Sequence, residues 1–222
     1  MKGDTLQVGI CGEDFMLLPE RAVFWNRKRM LLISDVHLAK SGHFRKAGIS
    51  IPSSVHEDDL RRLSLLIEKL QPASLCILGD LFHSRQNMEW KSFKQWRKKY
   101  GSVSITLVRG NHDVHDDSVM KDHGLDHVYD SLTEPPFFFS HEPSATASGG
   151  LHNLAGHLHP AVVMSGKGRQ SGVFPCFWIS EHFSVLPAFG NFTGKAVIQP
   201  RPRDRVYITC DSRVMPVSFS DS

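Results

Sequence analysis

Long apolar runs are missing from this sequence of 222 residues. The longest, Met30–Ile33 and Pro135–Phe139, fall far short of the roughly 20 residues that span a bilayer. Met1 to Ile10 carry one Lys and no apolar segment, so no signal peptide is expected. Cysteine is scarce: Cys11, Cys76, Cys176 and Cys210 are widely spaced and form no Cys-x-x-Cys pair. A disulfide framework is therefore not expected, and four reduced thiols in a cytoplasmic protein are. Charge of one sign is also lacking. Lys+Arg total 26 against 23 Asp+Glu, a net +3, which permits a nucleic-acid partner without arguing for one. Repeats, low-complexity tracts and long linkers are absent. With 41% hydrophobic and 22% charged residues, disordered, collagen-like and coiled-coil classes are excluded. The expectation is a single domain over residues 1–222.

Histidine is what the chain has in quantity, 13 residues, and their positions follow a succession of elements. Met30–Ser34 is a strand candidate that ends at Asp35. Ser53 or Ser54 caps a predicted helix whose Leu60, Leu63, Ile67 and Leu70 recur at spacings of three and four, closed by Pro72. Leu75–Leu78 is the next strand, ending at Gly79-Asp80. Trp90, Phe93, Trp96 and Tyr100 predict a second amphipathic helix, closed by Gly101. Val103–Val108 follows as a third strand, ending at Gly110-Asn111. Strands alternating with helices imply right-handed crossovers and a largely parallel sheet. From residue 135 onward, Phe137–Phe139, Leu151–Ala155, Val173–Ile179, Phe183–Leu186, Lys195–Ile198, Val206–Thr209 and Val214–Val217 are short runs broken by Gly and Pro. They predict a strand-rich remainder, notably over 160–222. The fold expected from this is α/β (α+β), two sheets packed face to face and flanked by helices.

Each early strand ends in a residue that can bind a metal. Asp35 and His37 stand two apart, so in extended backbone both point to one face. Gly79-Asp80 and Gly110-Asn111-His112-Asp113 follow the next two strands, His141 follows Phe137–Phe139, and Gly156-His157-Leu158-His159 repeats the two-residue spacing. In a parallel sheet the strand ends line one crevice, where ligands bind. A Gly precedes three of the blocks, which allows close approach of backbone and metal. The candidate ligands are Asp35, His37, Asp80, Asn111, His141, His157 and His159. A carboxylate, amide and imidazole set without thiolate suits Mn²⁺, Fe²⁺ or Zn²⁺. Seven donors exceed the three that a lone catalytic zinc takes, and with a bridging carboxylate they suit two ions about 3.5–4 Å apart. Such a pair acidifies a water and polarises a phosphoryl oxygen, so phosphate ester hydrolysis is the expected reaction.

In this order, the five blocks over residues 35–159 resemble the calcineurin-like metallophosphoesterase superfamily. That resemblance implies a four-layer αββα sandwich. It implies that Asp35, His37, Asp80 and His159 hold one ion and Asp80, Asn111, His141 and His157 a second, with Asp80 bridging. It further implies attack by a metal-bound hydroxide, His112 as general acid to the leaving alkoxide, and Asp113 orienting His112. Ser41–Ile49, Gly79–Arg85, Gly156–Pro160, Pro175–Trp178, Leu186–Gly190 and Phe192–Gly194 are more narrowly similar to the ligase-associated DNA damage response endonuclease family (PdeM). What this implies is a Mn²⁺-dependent DNA endonuclease in DNA repair, working beside an ATP-dependent DNA ligase, a helicase and an exonuclease. Two alternatives stay open: a phosphodiesterase or pyrophosphatase of small nucleotides, and a non-catalytic partner-binding module of a repair complex.

Further residues carry two readings each. His43, Arg45 and Lys46, after the first motif, are either a phosphate-backbone clamp or a solvated turn. His83 and Arg85, just past Asp80, are either substrate contacts or ordinary loop residues. The basic runs Arg27–Arg29, Lys94–Lys99 and Arg201–Arg205 read as solvated faces sooner than as a DNA footprint. Trp90, Trp96 and Trp178 read as core sooner than as base-stacking platforms. His56, His115, His123, His127, His152 and His182 are expected at the surface or in loops.

Overall fold

The computed structural model describes residues 4–38, 54–82, 88–146, 149–166, 170–191 and 193–219. It begins with three strands where the sequence reading places none: β1 (Leu6–Ile10), β2 (Glu13–Leu18) and β3 (Ala22–Trp25). They form an antiparallel meander. The signal was present but short: Val8 and Ile10 are buried while Gln7 and Gly9 are exposed, the period-two pattern of a half-buried strand. The turn between β1 and β2 has Cys11 at φ 50° and Gly12 at φ 78°, the pair of positive angles that a tight hairpin needs.

The meander joins β4 (Met30–Ile33), which opens the parallel part of the sheet with β5 (Ser74–Leu78), β6 (Ser104–Val108) and β7 (His127–Tyr129). Crossovers run through α1 (Ser54–Leu70) and α2 (Met88–Lys99), and α3 (Asp117–Asp122) precedes β7. The expected helices and strands are therefore present, with α1 ending at Leu70 just before Pro72. Leu60, Leu63, Leu66 and Ile67 of α1 and Trp90 and Phe93 of α2 are buried against the sheet face that carries Leu31, Ile33, Ile77 and Leu107. Trp90 is fully buried and stacks on Phe82 with ring centroids 3.7 Å apart. Its role is packing, as expected.

The second sheet contains β8 (Leu132–Glu134), β9 (Phe137–Phe139), β10 (His152–Ala155), β11 (Pro160–Ser165), β12 (Ser171–Ile179), β13 (Phe183–Val185) and β14 (Ala196–Val197), with β15 (Arg205–Cys210) and β16 (Arg213–Val217) attached through β12. Its inner face supplies Phe137, Phe139, Leu154, Phe177 and Leu186 to a core shared with Phe15, Trp25, Leu32 and Cys76 of the first sheet. This confirms the mixed α/β fold with two packed sheets. Among the described residues the helices lie against the first sheet only. The outer face of the second carries a small cluster of Val162, Cys176, Val206 and Ile208.

His152 departs from expectation. It is buried on β10, its Nε2 2.8 Å from Ser184 Oγ, and burial lowers its pKa from the ordinary histidine value. The basic runs are largely engaged within the chain: Arg27 with Glu13, Lys28 with Glu134, Arg97 with Asp126 and Lys99 with Glu68. Among the described residues no helix is long and apolar enough to cross a membrane.

Register decides where the site falls. Ile33, Ile77 and Leu107 pair in one row across β4, β5 and β6, and Phe139, Leu154 and Ser184 in another across β9, β10 and β13. The residues just beyond these rows emerge together at one end of the two sheets.

Candidate active site

Beyond β4 the chain continues alongside the segment that leaves β5. The N–H of Asp35 donates to the carbonyl of Gly79 at 3.1 Å, and that of His37 to the carbonyl of Asp80 at 2.9 Å. Asp35, His37, Asp80, His157 and His159 all have positive φ, between 48° and 67°. For residues with a Cβ this left-handed conformation costs about 1 kcal/mol or more each. Five such residues in one cluster are backbone strain concentrated where side chains must be aimed.

Six of the seven candidate ligands pack into one cluster. His159 Nε2 lies 3.2 Å from Asp35 Oδ1, His37 Nε2 3.6 Å from Asp80 Oδ2, and His141 Nε2 3.5 Å from the same Asp80 oxygen. His157 Nδ1 faces His141 Nε2 at 3.0 Å. Asn111 sits at the rim, its Nδ2 donating to Glu142 Oε1 at 3.2 Å. Asp35, His37, Asp80 and His141 are buried, His159 less so, and Asn111 is exposed. Three overlapping groups bring donor atoms close enough to share an ion: Asp35, His37 and His159; Asp35, Asp80 and His141; and His37, Asp80 and His112.

Several observations make this donor set fit a cation. Asp35 is completely buried, yet among the described residues its Oδ1 has no hydrogen-bond partner, a costly state for a carboxylate unless a positive charge meets it. His159 Nδ1 faces the carbonyl of Gly194 at 3.2 Å, and His141 Nδ1 that of Leu78 at 3.0 Å. A proton on each Nδ1 satisfies those carbonyls and leaves Nε2 with a lone pair turned to the carboxylates, the usual arrangement of a metal-binding imidazole. Without a cation the buried charges pair with one another. Burial alone would lower the pKa of His141, but Asp80, Asp35 and the Leu78 carbonyl push it up to about 9. Burial likewise works against ionised Asp80. The His141 proton, the His112 amide and nearby His37 outweigh it and hold the carboxyl far below the usual range.

The motif glycines make room for side chains of other motifs. A Cβ at Gly79 would fall inside the His141 imidazole, one at Gly110 would meet the Asp80 carboxylate, and one at Gly156 would crowd Asp35.

His112 is exposed at the mouth. Its N–H donates to Asp80 Oδ1 at 2.9 Å, and its ring lies 5.4 Å from that of His37. Asp113 is buried beside it. Its carboxylate accepts from the backbone N–H groups of Gly110 (3.0 Å), Phe82 (3.2 Å) and Leu81 (3.4 Å). A buried carboxylate satisfied by three amides fastens the loop after β6 to the loop after β5, so it positions His112 through the backbone. Burial, with the Asp80 charge adding, raises its pKa to about 6 against the pull of those amides. Glu142 was not foreseen. Besides Asn111 it approaches His157 Nε2 at 4.0 Å, and its only sequence signal is adjacency to His141. The candidate substrate contacts His43, Arg45, Lys46, His83 and Arg85 lie outside the described residues.

The family model described as calcineurin-like phosphoesterase matches residues 28–188, most of the chain and every one of these motifs. The chain belongs to the calcineurin-like phosphoesterase family. Among solved structures it is similar to the Pseudomonas putida nuclease MPE, at 32% identity and a TM-score of 0.81, over 96% of this chain and 100% of that one. Two others are more distant. A protein of unknown function from Aquifex aeolicus has 19% identity and a TM-score of 0.40 over 63% of this chain and 82% of its own. The E. coli phosphoesterase Yfce has 13% identity and a TM-score of 0.40 over 81% and 86%. The comparison with curated proteins returns no match. As a calcineurin-like phosphoesterase the chain is a metal-dependent hydrolase of phosphate esters.

Proposed function

We propose that the whole chain forms one catalytic domain, a two-metal phosphodiesterase that cleaves DNA. The observation that carries the two-metal reading is Asp80 Oδ2, which lies 3.6 Å from His37 Nε2 and 3.5 Å from His141 Nε2. One carboxylate oxygen thereby serves two imidazole groups from distant parts of the sequence. Asp35, His37, Asp80 and His159 would hold one ion, and Asp80, Asn111, His141 and His157 the other. When bound, two divalent ions supply a nucleophile at neutral pH and offset charge on the phosphoryl oxygens. The donor set accepts Mn²⁺, Fe²⁺ or Zn²⁺, and Mn²⁺ is the ion we propose.

The chain's own residues do the rest. His112, exposed at the mouth and tethered to Asp80 through its backbone, protonates the departing alkoxide oxygen. Asp113 fixes the loop that carries it. Asn111 is turned by Glu142: a carboxylate accepts only from the amide nitrogen, which leaves Asn111 Oδ1 free for the second ion. A nucleic-acid substrate is supported by the similarity to a nuclease at 32% identity over nearly the whole of both chains. DNA repair in the cytoplasm, beside an ATP-dependent ligase, a helicase and an exonuclease, is the setting we propose.

Chelator-stripped protein, reloaded separately with Mn²⁺, Fe²⁺ or Zn²⁺, tests this on plasmid DNA, small nucleotides and an aryl phosphodiester. Nicking of the plasmid and hydrolysis of the aryl ester with Mn²⁺ is the expected result. Turnover of nucleotides far above that of DNA would move the substrate assignment. Stoichiometric metal uptake without hydrolysis of anything would make the chain a binding module.

A further inference from the structure

The segment from Leu186 to Ala196, described at 186–191 and 193–196, touches both residues of the Asp35–His159 pair. The N–H groups of Phe189 and Gly190 donate to the carbonyls of Ser34 (2.8 Å) and Asp35 (3.1 Å). The carbonyl of Gly194 faces His159 Nδ1 at 3.2 Å, and the N–H of Ala196 donates to the carbonyl of His159 at 3.0 Å. Gly190 lies so close to Val36 that a Cβ would run into its carbonyl oxygen. The strap therefore has one register against the Asp35 turn, and it fixes both partners of that pair at once.

What fixes the strap is a charged lock drawn from two other parts of the sequence. Arg21, in the turn between β2 and β3, donates to Asn191 Oδ1 and, at 3.2 Å, to the carbonyl of Gly190. Arg62 of α1 donates to Asn191 Oδ1 at 2.9 Å, to Asp59 Oδ1 at 3.0 Å and to the carbonyl of Phe189, and its guanidinium lies 4.2 Å from the centre of the Phe189 ring. Asp59 is buried and accepts from the Asn191 side-chain amide at 2.8 Å. Two guanidinium groups converging on one amide oxygen repel each other. Burial and the Arg62 charge together lower the pKa of Arg21 to about 10. Asp59 and the strap carbonyls, with Glu20 and Asp58 nearby, offset this cost by answering the cations.

We propose that Arg21, Arg62 and Asn191 are positioning residues that set the Asp35–His159 pair through the strap and so determine affinity for the ion this pair holds. The proposal rests on the two-metal reading above. Neither arginine touches the candidate ligands. Their action passes through the backbone of residues 189–190 to the Asp35 turn, and so to the carboxylate that faces His159.

The test is Mn²⁺ titration of the chelator-stripped, full-length protein, followed by the electron paramagnetic resonance signal of free Mn²⁺. It is paired with thermal unfolding in chelator. Wild type should take up two ions. Asn191 is exposed, so Asn191→Ala opens no core cavity. It should weaken one binding step about 10–100-fold, the range for outer groups that orient ligands, and leave the other within about twofold. Arg62→Lys keeps the charge but loses the planar fork that spreads its donors across Asn191, Asp59 and Phe189, and should give the same pattern to a smaller degree. If Asn191→Ala does not fold, Arg21→Gln takes its place, since it leaves the Arg62–Asp59 pair intact. A lowered melting temperature with both binding steps unchanged would overturn the proposal. If wild type binds only one ion, the two-metal reading falls, and the proposal stands or falls on whether the variants weaken that single step.

Discussion

Asp35 and the partly buried His159 are gripped by a strap and a charged lock, whereas Asn111, His157 and Glu142 meet at the surface through their side chains. His157 is also tied inward by its N–H, which donates to Asp35 Oδ2 at 3.0 Å. Asp35 has no exposed surface, while the side chains of His157 and Glu142 are 36% and 63% exposed. The contrast separates two tasks. A buried, backbone-fastened half can keep its geometry through many turnovers, because few rotamers compete with it. An exposed half built on rotatable side chains can admit a substrate phosphate and release product.

Asp80 belongs to both halves, so its loss has the largest expected effect. Asp80→Asn should abolish hydrolysis of every substrate and lower the metal content of the purified protein, checked by turnover and elemental analysis. Retained activity would mean that the halves do not share a carboxylate. His112→Ala comes next. Loss of a general acid should cost about 10²–10⁴-fold on DNA, where the departing sugar alkoxide needs a proton. The cost should be far smaller on an aryl ester whose leaving group departs unprotonated, and equal losses on both would remove the proton-donor role.

Within the open half, Glu142→Ala should lower activity about tenfold, at the mild end for a group that orients a ligand. Glu142→Gln, whose side chain can still accept from Asn111, should restore most of it. If Gln behaves like Ala, the carboxylate charge matters and the orientation of Asn111 does not. The smallest effect lies outside both halves. His152 is buried with its pKa lowered, so the unfolded chain binds the proton more readily. Stability from this group is lost as pH falls through the ordinary histidine range. In chelator, the melting temperature of His152→Leu should fall less than that of wild type between pH 7 and pH 5.

The sequence made the buried half legible and the open half only partly so. Asp35, His37, Asp80, His157 and His159 stand at strand ends in short fixed spacings, and the apolar runs before them announced the strands. Glu142 could not be read because an acid beside a histidine is common. Only the pairing of β9 with β10 brings it to His157, and only the packing of the two sheets brings it to Asn111. The lock was invisible for a related reason. Arg21, Arg62 and Asn191 lie in three distant segments, and nothing local distinguishes them from solvated surface residues. The contacts of Asp113 are backbone amides, which leave no trace in residue spacing. The β1–β3 meander was missed through shortness: each strand spans only four to six residues. Its alternation emerges only once the Cys11-Gly12 turn is known to be tight.

The five left-handed residues of the cluster set two kinds of selection against each other. Asn or Gly accepts that backbone more readily than His. A library at His37, His157 and His159 screened for heat resistance in chelator would therefore enrich Asn and Gly and discard imidazole, while the same library screened for phosphodiester cleavage would do the reverse. A stabilised version of this enzyme designed without metal binding in view would drift toward a well-folded protein whose crevice has lost its donors.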